Sequence, residues 1–316
     1  MQIFSSAAEY FRKLSIAKDW PEMQHTFEKL AAKEPRGWAL PRVSGEALGA
    51  KQEQLIPAVT AIGCLQISII LIDDMLDDDP RGEYHRIGPG AAANLASAFQ
   101  AAGLQAIAES DAQPQVKTAV QASLNHMMLI TARGQHLDVT NPDNEAAYWE
   151  MVRTKSSPFY GAALHCGALY GGASVELAEQ INSFGDLYGE IIQIHDDLND
   201  TMAIPANPDW IAGRFPLPVL FAYVVDHPDR QHFLALREQV SDNEALKEAQ
   251  KILIRCGAVS YCLDQLIQRY EKAKRDLAAM PLQQRAEMEF LLEEVVDPIR
   301  KLMNKIGATI PAALNN

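Results

Sequence analysis

The stretch Leu65 to Arg81, LQISIILIDDMLDDDPR, is an apolar run that ends abruptly in five aspartates. On a helix, Asp73 and Asp77 lie one turn apart, as do Asp74 and Asp78, so their carboxylates crowd a single face. Such like-charged pairs cost a helix roughly 0.2–0.5 kcal/mol each. A chain that keeps them directly behind an apolar segment needs something cationic between them, and hard oxygen ligands at this density suit Mg2+ or Ca2+. A solvated acidic helix end is the plainer alternative, and this stretch alone does not choose between the two.

A second stretch tips the choice. Ile191 to Asp200, IIQIHDDLND, again runs from apolar residues into Asp196, Asp197 and, one turn later, Asp200, and it is identical to Ile69 to Asp78, IILIDDMLDD, at six of ten positions. Two helices that each present a carboxylate pair at the same depth can face each other across a cavity and hold metal ions between them. Mg2+ binds through one or two carboxylates and completes its shell with phosphate oxygens and water, so the pair of motifs reads as a trap for a diphosphate.

The motifs Asp73-Asp74-Met75-Leu76-Asp77-Asp78 and Gln193-Ile194-His195-Asp196-Asp197-Leu198-Asn199-Asp200 resemble the two aspartate-rich motifs of the trans-isoprenyl diphosphate synthase (polyprenyl synthetase) family. Between them, Gly134-Gln135-His136-Leu137-Asp138 resembles the family's GQxxD segment and Thr154-Lys155-Ser156 its lysine-bearing segment. Gly213-Arg214-Phe215-Pro216-Leu217-Pro218 resembles GKxTLP with arginine for lysine. Order and spacing fit from about residue 60 to 220.

The resemblance implies an all-α isoprenoid synthase type I fold, a single domain over residues 1–316 with roughly ten or more helices around a central cavity. It implies a transferase that ionises an allylic prenyl diphosphate and condenses it with isopentenyl diphosphate. Asp73, Asp74, Asp77, Asp78, Asp196, Asp197 and Asp200 are the implied metal ligands, for about three Mg2+ ions that Mn2+ can replace. Asp73, Asp74, Asp77, Lys155, Gln193 and Asp196 form the implied catalytic set. Gln66, Arg81, Gln135, Thr154, Lys155 and Arg214 are the implied substrate-binding residues. Lys155 and Arg214 would donate to diphosphate oxygens, while Gln135 and Thr154 would offer side-chain dipoles to the carbocation. A homodimer is also implied.

The match fails chiefly at one place, while the usual double arginine after the first motif is reduced to Pro80-Arg81 and the lysine-rich loop after the second motif is shortened. The family binds its second diphosphate with a basic GKxxRP segment; the corresponding Arg36-Gly37-Trp38-Ala39-Leu40-Pro41 has Gly37 and Leu40 at the lysine and arginine positions. Gln66 and Arg81 keep their places, and Arg36, Arg42 and Arg86 are the nearby cations that could substitute. A terpene synthase using one allylic diphosphate, or a prenyltransferase to another acceptor such as a peptide or an aromatic compound, is therefore the alternative. Ser68 and Ile69 stand where early-stopping members carry bulky aromatics, which favours a product of C20 or longer. His195 is a hydrogen bonder behind the metal-ligating aspartates or a structural histidine, and Tyr84, His85 and Arg86 are placed to close over the site.

Composition sets the remaining bounds. In 316 residues, 41 acidic side chains outnumber 28 basic ones for a net charge of −13, which argues against nucleic acid and anionic membrane surfaces as partners. Cys64, Cys166, Cys256 and Cys262 are scattered without a CxxC pair, so reduced thiols are expected rather than zinc or disulfides. The amino terminus lacks a long apolar signal region, and no uninterrupted apolar run approaches 18 residues. A cytoplasmic protein without a membrane span is the expectation.

Periodicity is helical throughout. Expected helices cover parts of 5–34, then Gln54 to Asp78, Ala91 to Glu109, 115–138, Glu145 to Tyr170 and Val175 to Asp200, with a loop or helix entry over 38–50. Residues 227–316 read as amphipathic scaffold.

Overall fold

The computed structural model describes residues 2–305 and residue 314, and every regular element among them is a helix. The first four are α1 (Gln2–Lys13), α2 (Pro21–Ala31), α3 (Arg36–Ala47) and α4 (Gln52–Leu76). The short α5 (Tyr84–Ile87) leads to α6 (Pro89–Ala108), α7 (Pro114–Val139), α8 (Glu145–Lys155), α9 (Ser157–Tyr170) and α10 (Val175–Met202). The chain continues through α11 (Pro208–Ile211), α12 (Leu217–Val224), α13 (Arg230–Arg237), α14 (Asn243–Arg255), α15 (Ala258–Ala279) and α16 (Ala286–Lys305).

The axis of the bundle is α4. Every residue from Pro57 to Leu65 is buried, because α1, α3, α6 and α9 surround the helix. A helix with no polar face is stable in water only when wrapped in this way. By length and mean hydropathy, 2.3, α4 would also suffice to cross a membrane, but 67% of its most apolar window is buried inside the protein. It is therefore a core helix.

Two elements depart from the sequence expectation. Of the two readings of residues 38–50, loop or helix entry, the structure takes the helical one further than an entry: most of them belong to α3, although Pro41 removes one helical hydrogen bond. Burial outweighs that loss: Trp38, Leu40, Val43 and Ala47 are 1–4% exposed, and the Ser44 hydroxyl donates to the Leu164 carbonyl of α9 at 2.7 Å. The contact is close enough that a Cβ at Gly167 would lie 2.0 Å from the Pro41 carbonyl oxygen. The second departure is a break at Ser156, which divides the expected Glu145 to Tyr170 helix into α8 and α9. Pro158, in the first turn of α9, lacks the N–H that a continuous helix would use. Lys155 consequently ends one helix instead of lying inside a longer one.

The largest apolar core joins α1 to α4 with α6 to α10, α12, α15 and α16. A smaller cluster, with Trp210, Phe233, Leu246 and Leu253, lies among α11 to α14 and backs the loop between α11 and α12. Glu190, 7% exposed, binds Arg269 of α15 at 2.5 Å and Arg153 of α8 at 3.1 Å, and so ties α8, α10 and α15 together. These packings bring the carboxyl ends of α4, α7, α8 and α10 to one end of the bundle.

Candidate active site

Lys155 is the hub of that end. Its ammonium lies 2.6 Å from Asp138 Oδ2, 3.0 Å from Asp73 Oδ1 and 3.9 Å from Asp77 Oδ2. Burial alone would lower the lysine's pKa, but Asp73, Asp138 and Asp77 together outweigh it and hold the pKa above the ordinary value. Gln135 donates to Asp73 Oδ1 at 3.4 Å, so Gln135 and Asp138 of the Gly134 to Asp138 segment both reach the cluster at the first acidic motif. Arg214 completes the cluster, with Asp77 at 2.6 Å, Asp138 at 3.2 Å and Asp209 at 3.8 Å.

The second motif divides its work. Asp197 is 8% exposed, and its oxygens accept from the Tyr148 hydroxyl at 2.7 Å, the Leu217 amide at 2.7 Å and Gln193 Nε2 at 2.8 Å. Burial raises its pKa to about 6 against the pull of these bonds. Gln193 Oε1 in turn accepts from Ser156 Oγ at 2.6 Å, which fastens the α8–α9 break to α10. Asp196 has a 60% exposed side chain with His195 Nδ1 at 3.5 Å, while Asn199 contacts the His195 ring at 3.1 Å. Asp77, Asp138, Lys155, Gln193, Asp197 and Arg214 line one cleft, so both motifs meet there.

Other expected site residues stand differently. The α4 helix ends at Leu76, and Asp78 takes a left-handed φ of +52°, so Asp74 and Asp78 do not form a helical pair as Asp73 and Asp77 do. Asp78 instead accepts from the Tyr84 hydroxyl at 2.8 Å. Burial, then Asp79 and Asp73, raise the pKa of Asp74; burial and Asp196 raise that of Asp200. Arg81 is 88% exposed and paired with Asp79 at 2.7 Å, close enough to feel Asp200. The Thr154 hydroxyl donates to the Glu150 and Met151 carbonyls at 2.7 and 3.1 Å, within its own helix. Gln66 Oε1 is buried without a hydrogen-bond partner and lies 3.3 Å from where a Cβ on Gly37 would be.

The site also uses residues outside the expected set. Asp138 bridges both cations, and Tyr148 holds Asp197. Arg237, in the stretch read as scaffold, stacks its guanidinium 3.9 Å above the Phe215 ring and donates to the Gly213 carbonyl and, at 3.1 Å, to the Arg214 carbonyl. Asn141 donates to the same Gly213 carbonyl at 3.0 Å. Only Asp138 had a sequence signal, as the last residue of its motif.

The cations that could replace the missing basic segment are engaged elsewhere. Arg36 is 79% exposed beside Glu294 at 3.6 Å; Arg42 binds Glu46 at 2.6 Å and Glu287 at 2.7 Å; Arg86 binds Glu83 and lies 3.9 Å from Glu22. Leu40 is 2% exposed and faces the core.

Hard carboxylate oxygens with cationic donors beside them are a donor set that fits Mg2+ and a phosphate. Among the described residues no three His, Cys, Asp or Glu side chains converge as a ready-made metal site. Burial raises the pKa of Asp77, with Asp73 and Asp138 adding to it and Lys155 and Arg214 opposing it.

The profile of the polyprenyl synthetase family matches residues 22–253. A geranylgeranyl diphosphate synthase of Methanosarcina mazei is 26% identical over 251 residues, 74% of this chain and 76% of that protein. Among solved structures, a geranylgeranyl pyrophosphate synthetase from Pyrococcus horikoshii superposes with a TM-score of 0.80 at 21% identity, over 93% of this chain and 98% of that one. A polyprenyl synthase from Caulobacter crescentus, complexed with calcium and isoprenyl diphosphate, superposes with a TM-score of 0.76 at 20% identity, over 93% and 92% of the two chains. At these identities the structural likeness establishes the fold.

Proposed function

The chain belongs to the polyprenyl synthetase family, and from that premise we infer that it elongates an allylic prenyl diphosphate with isopentenyl diphosphate. The observation that carries this reading is the cluster in which Lys155 and Arg214 share Asp73, Asp77 and Asp138. In it, carboxylates for a divalent metal and cations for a diphosphate occupy the same few ångströms.

In this reading Asp73, Asp77 and Asp196 hold Mg2+, which supplies Lewis-acid stabilisation of the charge developing on the departing diphosphate. Lys155 and Arg214 exchange carboxylate oxygens for diphosphate oxygens and orient the leaving group. The allylic C–O bond breaks with its electron pair leaving on the diphosphate. The double bond of isopentenyl diphosphate then forms the new C–C bond, and loss of a proton restores a double bond. Tyr160 packs edge-on to Phe159 and Tyr188 at 5.5 Å and feels the Asp196 charge, an aromatic cluster that backs the second motif. We place the product at C20 or longer, with small Ser68 and aliphatic Ile69 below the first motif.

Mass spectrometry of products formed with Mg2+ and C10, C15 or C20 allylic diphosphates, with and without isopentenyl diphosphate, tests the reading. Longer prenyl diphosphates made only when isopentenyl diphosphate is present are expected. Hydrocarbons or alcohols from one allylic substrate alone would replace elongation with terpene synthesis.

A further inference from the structure

Glu190 lies one turn before Gln193 and two turns before Asp197, on the same face of α10. Each oxygen of this buried carboxylate serves one guanidinium: Oε1 accepts from Arg153 Nε of α8 at 3.1 Å, and Oε2 from Arg269 Nε of α15 at 2.5 Å. The Arg269 guanidinium returns to α8, lying 3.8 Å over the Trp149 ring. Its Nη1 donates to the carbonyl and side-chain oxygens of Gln265 at 3.0 and 2.9 Å. Arg153, Glu190, Arg269 and Trp149 thus close a circuit that begins and ends on α8. A second link from α15 supports it, since the Tyr261 hydroxyl donates to Glu145, which also accepts from Trp149 Nε1 at 3.3 Å.

The last residue of α8 is Lys155, two positions beyond Arg153, and the helix breaks at Ser156. Whatever fixes the depth of α8 therefore fixes where the Lys155 ammonium stands. Desolvation offsets much of the attraction in a buried ion pair, so such a pair adds little net stability while its geometry is exacting. A carboxylate kept between two arginines is better explained by where it puts α8. We propose that Glu190, through Arg153 and Arg269, is a positioning residue for Lys155, setting the depth at which α8 delivers the ammonium to Asp73, Asp138 and the diphosphate. The assignment rests on the diphosphate role of Lys155 in the elongation reading. In Glu190→Gln the amide turns a donor toward one of the two arginines, so the circuit opens and the end of α8 gains freedom. A displacement of about 1 Å at a catalytic group costs up to about a hundredfold.

The test is a double-mutant cycle on the full chain, read by calorimetric titration of inorganic pyrophosphate with Mg2+ and by thermal melts. Glu190→Gln and Arg153→Met are each made in wild type and in Lys155→Met. The Arg153 side chain is 59% exposed, so that variant folds even if Glu190→Gln does not, and it then decides the cycle alone. Arg214 and the aspartates remain in Lys155→Met, so its weaker binding stays measurable. The proposal expects each variant to weaken pyrophosphate binding about fivefold or more beside an intact Lys155, and by less than about twofold once Lys155 is gone. A residue that only stabilised the fold would lower the melts and weaken binding alike in both backgrounds. That additive result overturns the proposal, as does a folded variant that binds like wild type. Product analysis reports on elongation separately: a chain that binds pyrophosphate but elongates nothing loses the elongation reading, while the cycle still decides what positions Lys155. Absence of pyrophosphate binding by wild type overturns the proposal.

Discussion

Gly134 of α7 lies against the backbone of Lys155, so that a Cβ at residue 134 would sit 2.2 Å from the Lys155 amide nitrogen and 2.3 Å from the Thr154 carbonyl carbon. Neither atom can swing away as a side-chain tip would. The two helix ends must part, carrying the ammonium off Asp73 and Asp138. Gly134→Ala is expected to lower turnover by about two orders of magnitude and to cost about 1–3 kcal/mol of stability. Product formation and a thermal melt, measured together, check both.

Replacing Lys155 with methionine removes a cation from three carboxylates and from the diphosphate. Loss of one charge-assisted hydrogen bond is worth about 1.5–3 kcal/mol, or roughly 10- to 150-fold in kcat/KM for the allylic diphosphate. Unchanged kinetics in Lys155→Met would remove Lys155 from the site.

Because Mg2+ held by one or two carboxylates completes its shell with phosphate oxygens and water, metal affinity should depend on the anion. Calorimetric titration of Mg2+ is expected to show weak binding to the free protein, at least about tenfold tighter with inorganic pyrophosphate present. Asp77→Asn should abolish that gain. Equal affinity with and without pyrophosphate would count against shared ligation.

Arg237 touches no catalytic side chain; it positions the loop that carries Arg214. Arg237→Met is expected to lower kcat/KM for the allylic diphosphate about tenfold, with the Mg2+ requirement and product length unchanged. A variant that loses stability but keeps its allylic KM would reduce Arg237 to a packing role.

Asp186, on α10 away from the acidic motifs, has its pKa raised from 3.8 to about 7 by burial, then by Glu190 and Glu179. Between those values the folded chain holds a proton that the unfolded chain has released. The contribution of Asp186 to stability is therefore complete below about pH 4 and is lost as pH rises through about 7. Asp186→Asn has nothing to ionise, so it should be more stable than wild type at pH 8 by about 1–2 kcal/mol and equal to it near pH 4. Melting temperatures across that range give the answer.

Much of this site could be read from residue order alone, because its chemistry is local. A buried apolar helix running into Asp73 and Asp77 is a one-turn statement, and Gly134 to Asp138 is another. What escaped the sequence is tertiary. Pro41 argued against α3 until Trp38 and Leu40 were seen to bury it against α4 and α9. The break at Ser156 needed Gln193, 37 positions away, to hold it. Asp197 reads as a twin of Asp196, yet one is buried among Tyr148, Leu217 and Gln193 while the other stays in solvent. Arg237 carries no signal at all, since its partners are two carbonyls and a ring on a distant loop.

The ion pairs of Lys155 and Arg214 mean that this chain brings its own counter-ions. On the proposed reading, metal and substrate would arrive by exchange, each displacing an internal partner of the same sign, and the mouth would keep its shape when nothing is bound. Unlike small domains that unravel under a chelator, this protein should melt at nearly the same temperature with EDTA as without.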